Sequence, residues 1–220
     1  EGKLRVWEVA GGTEQAPLPA LEPVHSLNAG PGGALAVGCA GGELMLWSEW
    51  RAEPLRRIAA HSGPVHAIRF LADGRFLSAG DDGAVRLWNA EGRVERHFSG
   101  HSRRVVSLAV AERAETLVAS GSGDQTIRLW RGGEEQPAVL RAHRGAVLGL
   151  EFLAAGELLL STGEDGQLRL WSTAETKVLT ARRRHQGAVA GLAVHPTEPL
   201  AATAGSDGVV QVWRIEGLGN

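Results

Sequence analysis

The sequence predicts an all-β fold laid out as successive four-stranded antiparallel sheets, and three observations carry that prediction. Six of the seven tryptophans, Trp7, Trp47, Trp88, Trp130, Trp171 and Trp213, recur at spacings of 40, 41, 42, 41 and 42 residues, which marks a repeat architecture; only Trp50 is off this grid. Nearly every Trp on the grid closes a short run in which apolar and polar residues alternate, the period of a strand with one buried face. No segment sustains a helical period.

The elements follow in order within each repeat. The third strand ends at the Trp: residues 3–7, 84–88, 126–130, 167–171 and 209–213. Before it stands a hairpin turn, Asp82-Gly83, Asp165-Gly166 or Asp207-Gly208, where Gly supplies a positive φ at no steric cost; the remaining full repeat has Asp124-Gln125. The second strand precedes that turn (residues 75–78, 117–120, 158–161 and 200–203), and the first lies further upstream (65–70, 105–110, 147–152 and 189–194). A fourth strand follows the Trp at 55–58, 94–98, 138–140 and 178–179. Four short antiparallel strands in about 41 residues, repeated, is the arithmetic of a β-propeller blade.

One further residue type makes a family resemblance specific. His61, His101, His143 and His185 stand 27, 29, 28 and 28 residues before their Trp, while a Ser or Thr lies 10 before it and an Asp 6 before it. With these residues the chain resembles the WD-repeat (WD40-type) β-propeller family over most of its length. The resemblance implies a structural tetrad in each blade: His61, Ser78, Asp82, Trp88; His101, Ser120, Asp124, Trp130; His143, Ser161, Asp165, Trp171; and His185, Thr203, Asp207, Trp213. It implies that Asp holds His, His reaches the hydroxyl, and the hydroxyl meets the indole N–H. Two departures stand out. The Trp-Asp pair that names the family is absent, since Glu8, Ser48, Asn89, Arg131, Ser172 and Arg214 follow the Trp, and the repeat ending at Trp47 has Ala20, Val37 and Gly41 where His, Ser and Asp are expected. That blade is expected to be the least rigid.

Ser, His and Asp together invite a hydrolase reading, but an enzyme needs one such set in a cleft, and four copies at near-constant spacing answer a structural need. Cys-x-x-Cys, His-Glu-x-x-His, P-loop and Gly-x-Ser-x-Gly motifs are all absent. Gly121-Ser122-Gly123-Asp124 reads as a turn between strands. His25, His66, His97 and His195 are dispersed, so no metal, cofactor or catalytic site is expected. The lone Cys39 cannot form an internal disulfide, the net charge of −2 gives no global pull toward nucleic acid or anionic membrane, and no signal peptide or lipidation motif is present. An intracellular protein, cytoplasmic or nuclear, is the expectation.

In the family, the loop before the first strand and the turn before the Trp strand open on one face that binds peptides or other proteins. On that face the resemblance places His25, His66, Asp81, Arg104, Val106, Leu148, Glu164 and Ser206, and the two carboxylates among them suit a peptide with a basic side chain. A competing surface is a basic patch of Arg103, Arg104, Arg141, Arg144, Arg182, Arg183 and Arg184, suited to RNA, a phosphopeptide or an acidic partner; the lack of Tyr and the four Phe weaken single-strand stacking.

Domain boundaries follow from the grid: residues 1–22 give the third and fourth strands of a partial blade, 23–60 a degenerate blade, 61–100, 101–142 and 143–184 full blades, and 185–220 three strands of another. The strands fall short of a seven-bladed ring, so the expectation is an open arc from a larger propeller. The expected function is a non-catalytic scaffold for other proteins, peptides or other domains of a parent chain. The alternative is a ribonucleoprotein component of telomerase- or vault-associated type that uses the Arg clusters.

Overall fold

The computed structural model describes residues 3–14, 18–19, 22–48, 54–132, 134 and 136–215. Ala20 and Trp50 lie outside the described residues, as does part of the outermost expected blades. The chain divides into two compact units, Glu1–Gly100 and His101–Asn220.

The first unit opens with four two-residue strands, β1 (Lys3–Leu4), β2 (Trp7–Glu8), β3 (Thr13–Glu14) and β4 (Leu18–Pro19). The expected continuous strand over residues 3–7 is broken. Leu4 pairs with Leu18 but Trp7 pairs with Glu14, so the register slips by one residue between the two ladders, and Trp7 is left half exposed. Two full sheets follow. One runs β5 (Val24–Ala29), β6 (Leu35–Cys39), β7 (Glu43–Trp47), β8 (Arg56–Ala59); the other runs β9 (Val65–Phe70), β10 (Phe76–Gly80), β11 (Val85–Trp88), β12 (Val94–Phe98). Neighbours in sequence are neighbours in each sheet.

In the second unit β13 (Val105–Ala111), β14 (Leu117–Ser122), β15 (Thr126–Arg131) and β16 (Ala138–Arg141) form a four-stranded sheet. So do β17 (Val147–Leu153), β18 (Leu158–Gly163), β19 (Gln167–Ser172) and β20 (Lys177–Arg183). Among the described residues the last sheet has three strands, β21 (Val189–Val194), β22 (Leu200–Gly205) and β23 (Val210–Arg214).

The sheets pack face to face through apolar side chains that the alternation sends inward. In the first unit Ala36, Leu44 and Leu46 of one sheet meet Val65, Ile68, Phe76 and Trp88 of the next. In the second, Ile127, Leu129 and Leu140 meet Val147, Leu150, Leu159 and Trp171. A buried Trp against the preceding sheet thus recurs at the sheet junctions, and burial of such a side chain contributes roughly 3 kcal/mol. The strands outrun their expected ends on the tetrad side. β14, β18 and β22 continue two residues past the Ser or Thr, and β20 extends to Arg183 because its ladder with β19 reaches Gln167. Arg182 and Arg183 therefore lie on an outermost strand and not in the loop before His185.

Candidate functional site

Two sets of residues recur at one end of the sheets, one constant in four of them and one variable. The constant set is the hydrogen-bonded chain from Asp to Trp. His61 Nδ1 lies 2.8 Å from Asp82 Oδ1, His61 Nε2 lies 2.7 Å from Ser78 Oγ, and the Trp88 indole N–H donates to Ser78 Oγ at 2.8 Å. A carboxylate can only accept, so Nδ1 carries the proton, Nε2 accepts from the hydroxyl, and the hydroxyl accepts from the indole. The same chain runs Asp124, His101, Ser120, Trp130 at 2.8, 2.9 and 3.1 Å. It runs Asp165, His143, Ser161, Trp171 at 2.8, 2.8 and 2.9 Å, and Asp207, His185, Thr203, Trp213 at 3.1, 2.8 and 2.9 Å.

Burial pushes His61, His101 and His143 below the usual imidazole range, and the adjoining Asp82, Asp124 and Asp165 only partly offset it. The imidazoles are neutral, as the tautomer requires. For Asp124, burial works to raise the pKa, but hydrogen bonds from the Thr126 hydroxyl (2.7 Å) and from His101 outweigh it and hold the carboxyl at about 2. Asp124, Asp165 and Asp207 also accept from backbone N–H groups on both loops they join, as Asp165 does from Arg144 (3.1 Å) and Gln167 (3.2 Å), while Asp82 accepts from Ala84 in its own hairpin (3.2 Å). The tetrad therefore fastens the loop before the first strand to the hairpin before the third.

The sheet ending at Trp47 shows what happens without it. Val37 replaces the hydroxyl, and among the described residues the buried Trp47 indole nitrogen has no acceptor. Its turn is held differently, by Gly41 N–H donating to Glu22 Oε2 at 2.9 Å. Glu22 is a residue that the spacing did not point to, because it approaches the turn from the other loop. Cys39, fully buried in the same sheet, has its thiol pushed up to about 11 by burial, beyond reach of thiolate chemistry.

The variable set stands beside this chain. In the first strand of all five sheets one residue is skipped by the ladder: His25 between Val24 and Ser26, His66 between Val65 and Ala67, Val106 between Val105 and Ser107, Leu148 between Val147 and Gly149, and Ala190 between Val189 and Gly191. Such a bulge turns the extra side chain out of the pleat. The turn opposite is tied to the same loop by a repeated backbone bond: Ala40 N–H to Pro23 O, Asp81 to Pro64, Gly123 to Arg104, Glu164 to Ala146 and Ser206 to Ala188, at 2.8 to 3.0 Å. His66 Nε2 meets Asp81 Oδ1 at 3.0 Å, with the His25 ring edge-on at 5.7 Å. In the second unit Glu164 Oε2 accepts from Ala146 N–H at 2.9 Å, so that carboxylate is partly engaged in shaping its own loop. Arg104, Glu164 and Ser206 are exposed, and Val106 and Leu148 half-buried.

The basic residues do not form one group. Arg103, Arg104 and Arg144 lie in loops entering first strands, whereas Arg141, Arg182 and Arg183 lie on outermost strands. Arg182 and Arg184 do converge with Arg214 and Trp213 along one groove of about 500 Å³, and the Arg184 guanidinium stands 6.0 Å over the Trp213 ring. Among the described residues no cluster of three His, Cys, Asp or Glu is placed to hold a metal, and no helix is long and apolar enough to cross a membrane.

Repeated antiparallel sheets of up to four strands, four of them fastened by an Asp–His–Ser/Thr–Trp chain, define a class of repeat proteins of propeller-blade type. The chain belongs to the WD40 family (WD domain, G-beta repeat), whose pattern matches residues 52–89, 92–131, 134–172 and 176–214. It is similar to apoptotic protease-activating factor 1 of Rattus norvegicus, 38% identical over 32% of this chain and 6% of the relative. It is also similar to WD repeat-containing protein RUP2 of Arabidopsis thaliana, 37% identical over 36% of this chain and 23% of the relative. A third relative is ribosome biogenesis protein YTM1 of Meyerozyma guilliermondii, 33% identical over 28% of this chain and 16% of the relative. The chain thus spans less than a quarter of the length of each of these relatives.

Proposed function

We propose that this chain is a non-catalytic interaction module of a larger intracellular regulatory or assembly protein, part of a bigger propeller on which protein or peptide partners, or other domains of the parent chain, dock. The observation that carries this reading is the contrast at one end of the sheets. The fastening residues keep the same chemistry in four sheets, while the bulged residue beside them changes from His66 to Val106, Leu148 and Ala190. A constant frame that presents varied side chains suits recognition. The tetrad hydroxyls argue against hydrolysis: Ser78, Ser120 and Ser161 are fully buried and each already accepts the indole N–H. The relatives named for apoptotic activation and ribosome biogenesis are consistent with a regulatory or assembly role.

The test is capture of binding proteins by the immobilised chain and by two variants of exposed or half-buried side chains, Asp81→Asn with His66→Ala, and Arg104→Ala with Leu148→Ala. Loss of captured proteins from either variant at unchanged melting temperature supports the reading, and an unchanged set from both overturns it. A second reading, contact with RNA or an acidic partner, rests on the convergence of Arg182, Arg184 and Arg214 beside Trp213. Binding of single-stranded RNA that weakens steeply with salt supports it, and salt-independent binding or none rejects it.

A further inference from the structure

We propose, building on the docking role above, that the tetrad-loop end of the second unit recognises an acidic partner segment, an extended peptide whose Asp or Glu side chains flank apolar ones. The two carboxylates that would suit a basic peptide both have partners. Asp81, in the first unit, meets His66 at 3.0 Å, and Glu164 directs one oxygen to the Ala146 N–H at 2.9 Å. The charges left without partners at this end of the second unit are positive.

Arg103 and Arg104 lead into β13, and Arg144 leads into β17. Arg141 and Arg183 reach the same end on outermost strands, because the ladders pair them with Thr126 and Gln167, each two residues past a tetrad Asp. All five are exposed, and among the described residues none of them has an ion-pair partner. Arg113, Arg131 and Arg169 are by contrast in use: Arg113 donates to Gly156 O, and Arg131 and Arg169 stand 3.8 and 3.7 Å from Glu134 and Asp165. Unpaired like charges gathered at one end concentrate a positive field that draws carboxylates toward it.

Gly123 leaves a place for one of those carboxylates. The residue before the tetrad Asp is Asp81, Glu164 or Ser206 in the other three tetrad sheets and Gly123 in this one. A Cβ on Gly123 would lie 3.7 Å from Arg103 Cβ and 3.6 Å from Arg104 Cγ, so both arginine stems flank the space where a side chain is missing. The loop is fixed in this position: Ser122 Oγ lies 3.1 and 2.9 Å from the carbonyl oxygens of Arg103 and Arg104, and the Gly123 N–H donates to Arg104 O at 3.0 Å. A ligand carboxylate can occupy the space and accept paired N–H groups from a guanidinium. Next to it Val106 and Leu148, half-buried bulge residues on neighbouring strands, offer apolar contact to the side chain that follows. No Phe or Trp stands in residues 102–104, 123–125, 144–146 or 164–166 to stack a base, which favours a peptide over RNA.

The test is an amide-resolved NMR titration of the full chain with N-acetyl-Asp-Leu-Glu-Val-Asp-amide and with its neutral counterpart N-acetyl-Asn-Leu-Gln-Val-Asn-amide. Expected are shifts centred on residues 102–106, 123–124 and 144–148, roughly tenfold or more weaker binding of the neutral peptide, and a similar loss in Arg103→Gln with Arg104→Gln. Gly123 takes no positive φ, so Gly123→Asp should keep the melting temperature while its own carboxylate fills the space and abolishes binding. The same charge change in the first unit, Arg56→Gln with Arg93→Gln, should leave binding intact. Absence of binding, equal affinity for both peptides, tighter binding of a single-stranded oligouridylate, or undiminished binding by Gly123→Asp would overturn the proposal. Failure of the acidic ligand alone is recognised by protein capture that Arg104→Ala with Leu148→Ala still abolishes, whereas failure of the docking role leaves that capture unchanged.

Discussion

Ser107 Oγ donates a hydrogen bond of 2.9 Å to the carbonyl oxygen of Val147, linking the innermost strands of two adjacent sheets. Ser26 does the same to Val65 at 2.7 Å. Each Ser faces a Gly across its own ladder, Ser107 against Gly121 and Ser26 against Gly38, and a Cβ on either Gly would collide with the hydroxyl and with the Val of the next sheet. In the following sheet the sizes are exchanged, with Gly149 against Thr162. One small side chain per cross-strand pair is what the space between sheets admits.

Gly121→Ala should therefore destabilise by about 1–3 kcal/mol, through overpacking against Ser107 and Val147. Ser107→Ala removes only the hydroxyl and should cost about 1 kcal/mol. Combining Gly121→Ala with Ser107→Gly should recover part of the first loss, since Val147 remains in the way. Urea denaturation of these three variants and of Ser107→Gly alone reads these differences, and an additive double variant would contradict the shared space.

The tetrad predicts unequal tryptophans. Trp88→Phe loses packing and a satisfied N–H···O bond to Ser78, whereas Trp47→Phe loses a nitrogen that has no acceptor among the described residues. Both side chains are buried, so the packing losses are similar. Trp88→Phe should cost about 1–2 kcal/mol more than Trp47→Phe in chemical denaturation. Equal costs would mean that the hydroxyl bridge contributes nothing.

Stability should fall in two acid steps. His61, His101 and His143 have lowered pKa values in the fold, chiefly from burial, so below their ordinary value of about 6.5 the unfolded chain binds more protons than the folded one. Stability is therefore full above that pH and declines as pH drops through it. The carboxyls of Asp82, Asp124 and Asp165 are also lowered, which stabilises above the ordinary value of about 3.9 and is lost below it, down to about 2 for Asp124. Denaturation midpoints measured from pH 8 to pH 3 should be flat at first, then fall in both windows, and His101→Asn should flatten the upper one.

Gln125 holds φ of 72° where Gly83, Gly166 and Gly208 hold 73°, 74° and 77°. Gln125→Gly should stabilise by about 0.5–1 kcal/mol, the left-handed strain relieved less the entropy of a freer unfolded chain. Its carbonyl bonds to Ala142 and His143 are backbone bonds and survive the change. A lowered melting temperature would show that the Gln side chain holds this turn.

Much of this protein is local and was legible residue by residue. The Trp grid, the alternation and the Asp-Gly turns determine four strands per repeat, because side-chain period and turn chemistry depend only on near neighbours. The constant offsets of Ser or Thr and Asp from the Trp, and the nearly constant one of His, led to the residues that the fold joins within 3.1 Å, since one repeat unit brings the same positions together each time. What depends on register and on packing between sheets was hidden. The slip between Leu4 and Trp7, the exchange of Ser107–Gly121 for Gly149–Thr162, the turn fastened by Glu22, and the approach of Arg103 and Arg104 to Gly123 each join residues from separate segments. No spacing rule links those positions. Only the tertiary structure, by stacking one twisted sheet on the next, decides which of them touch.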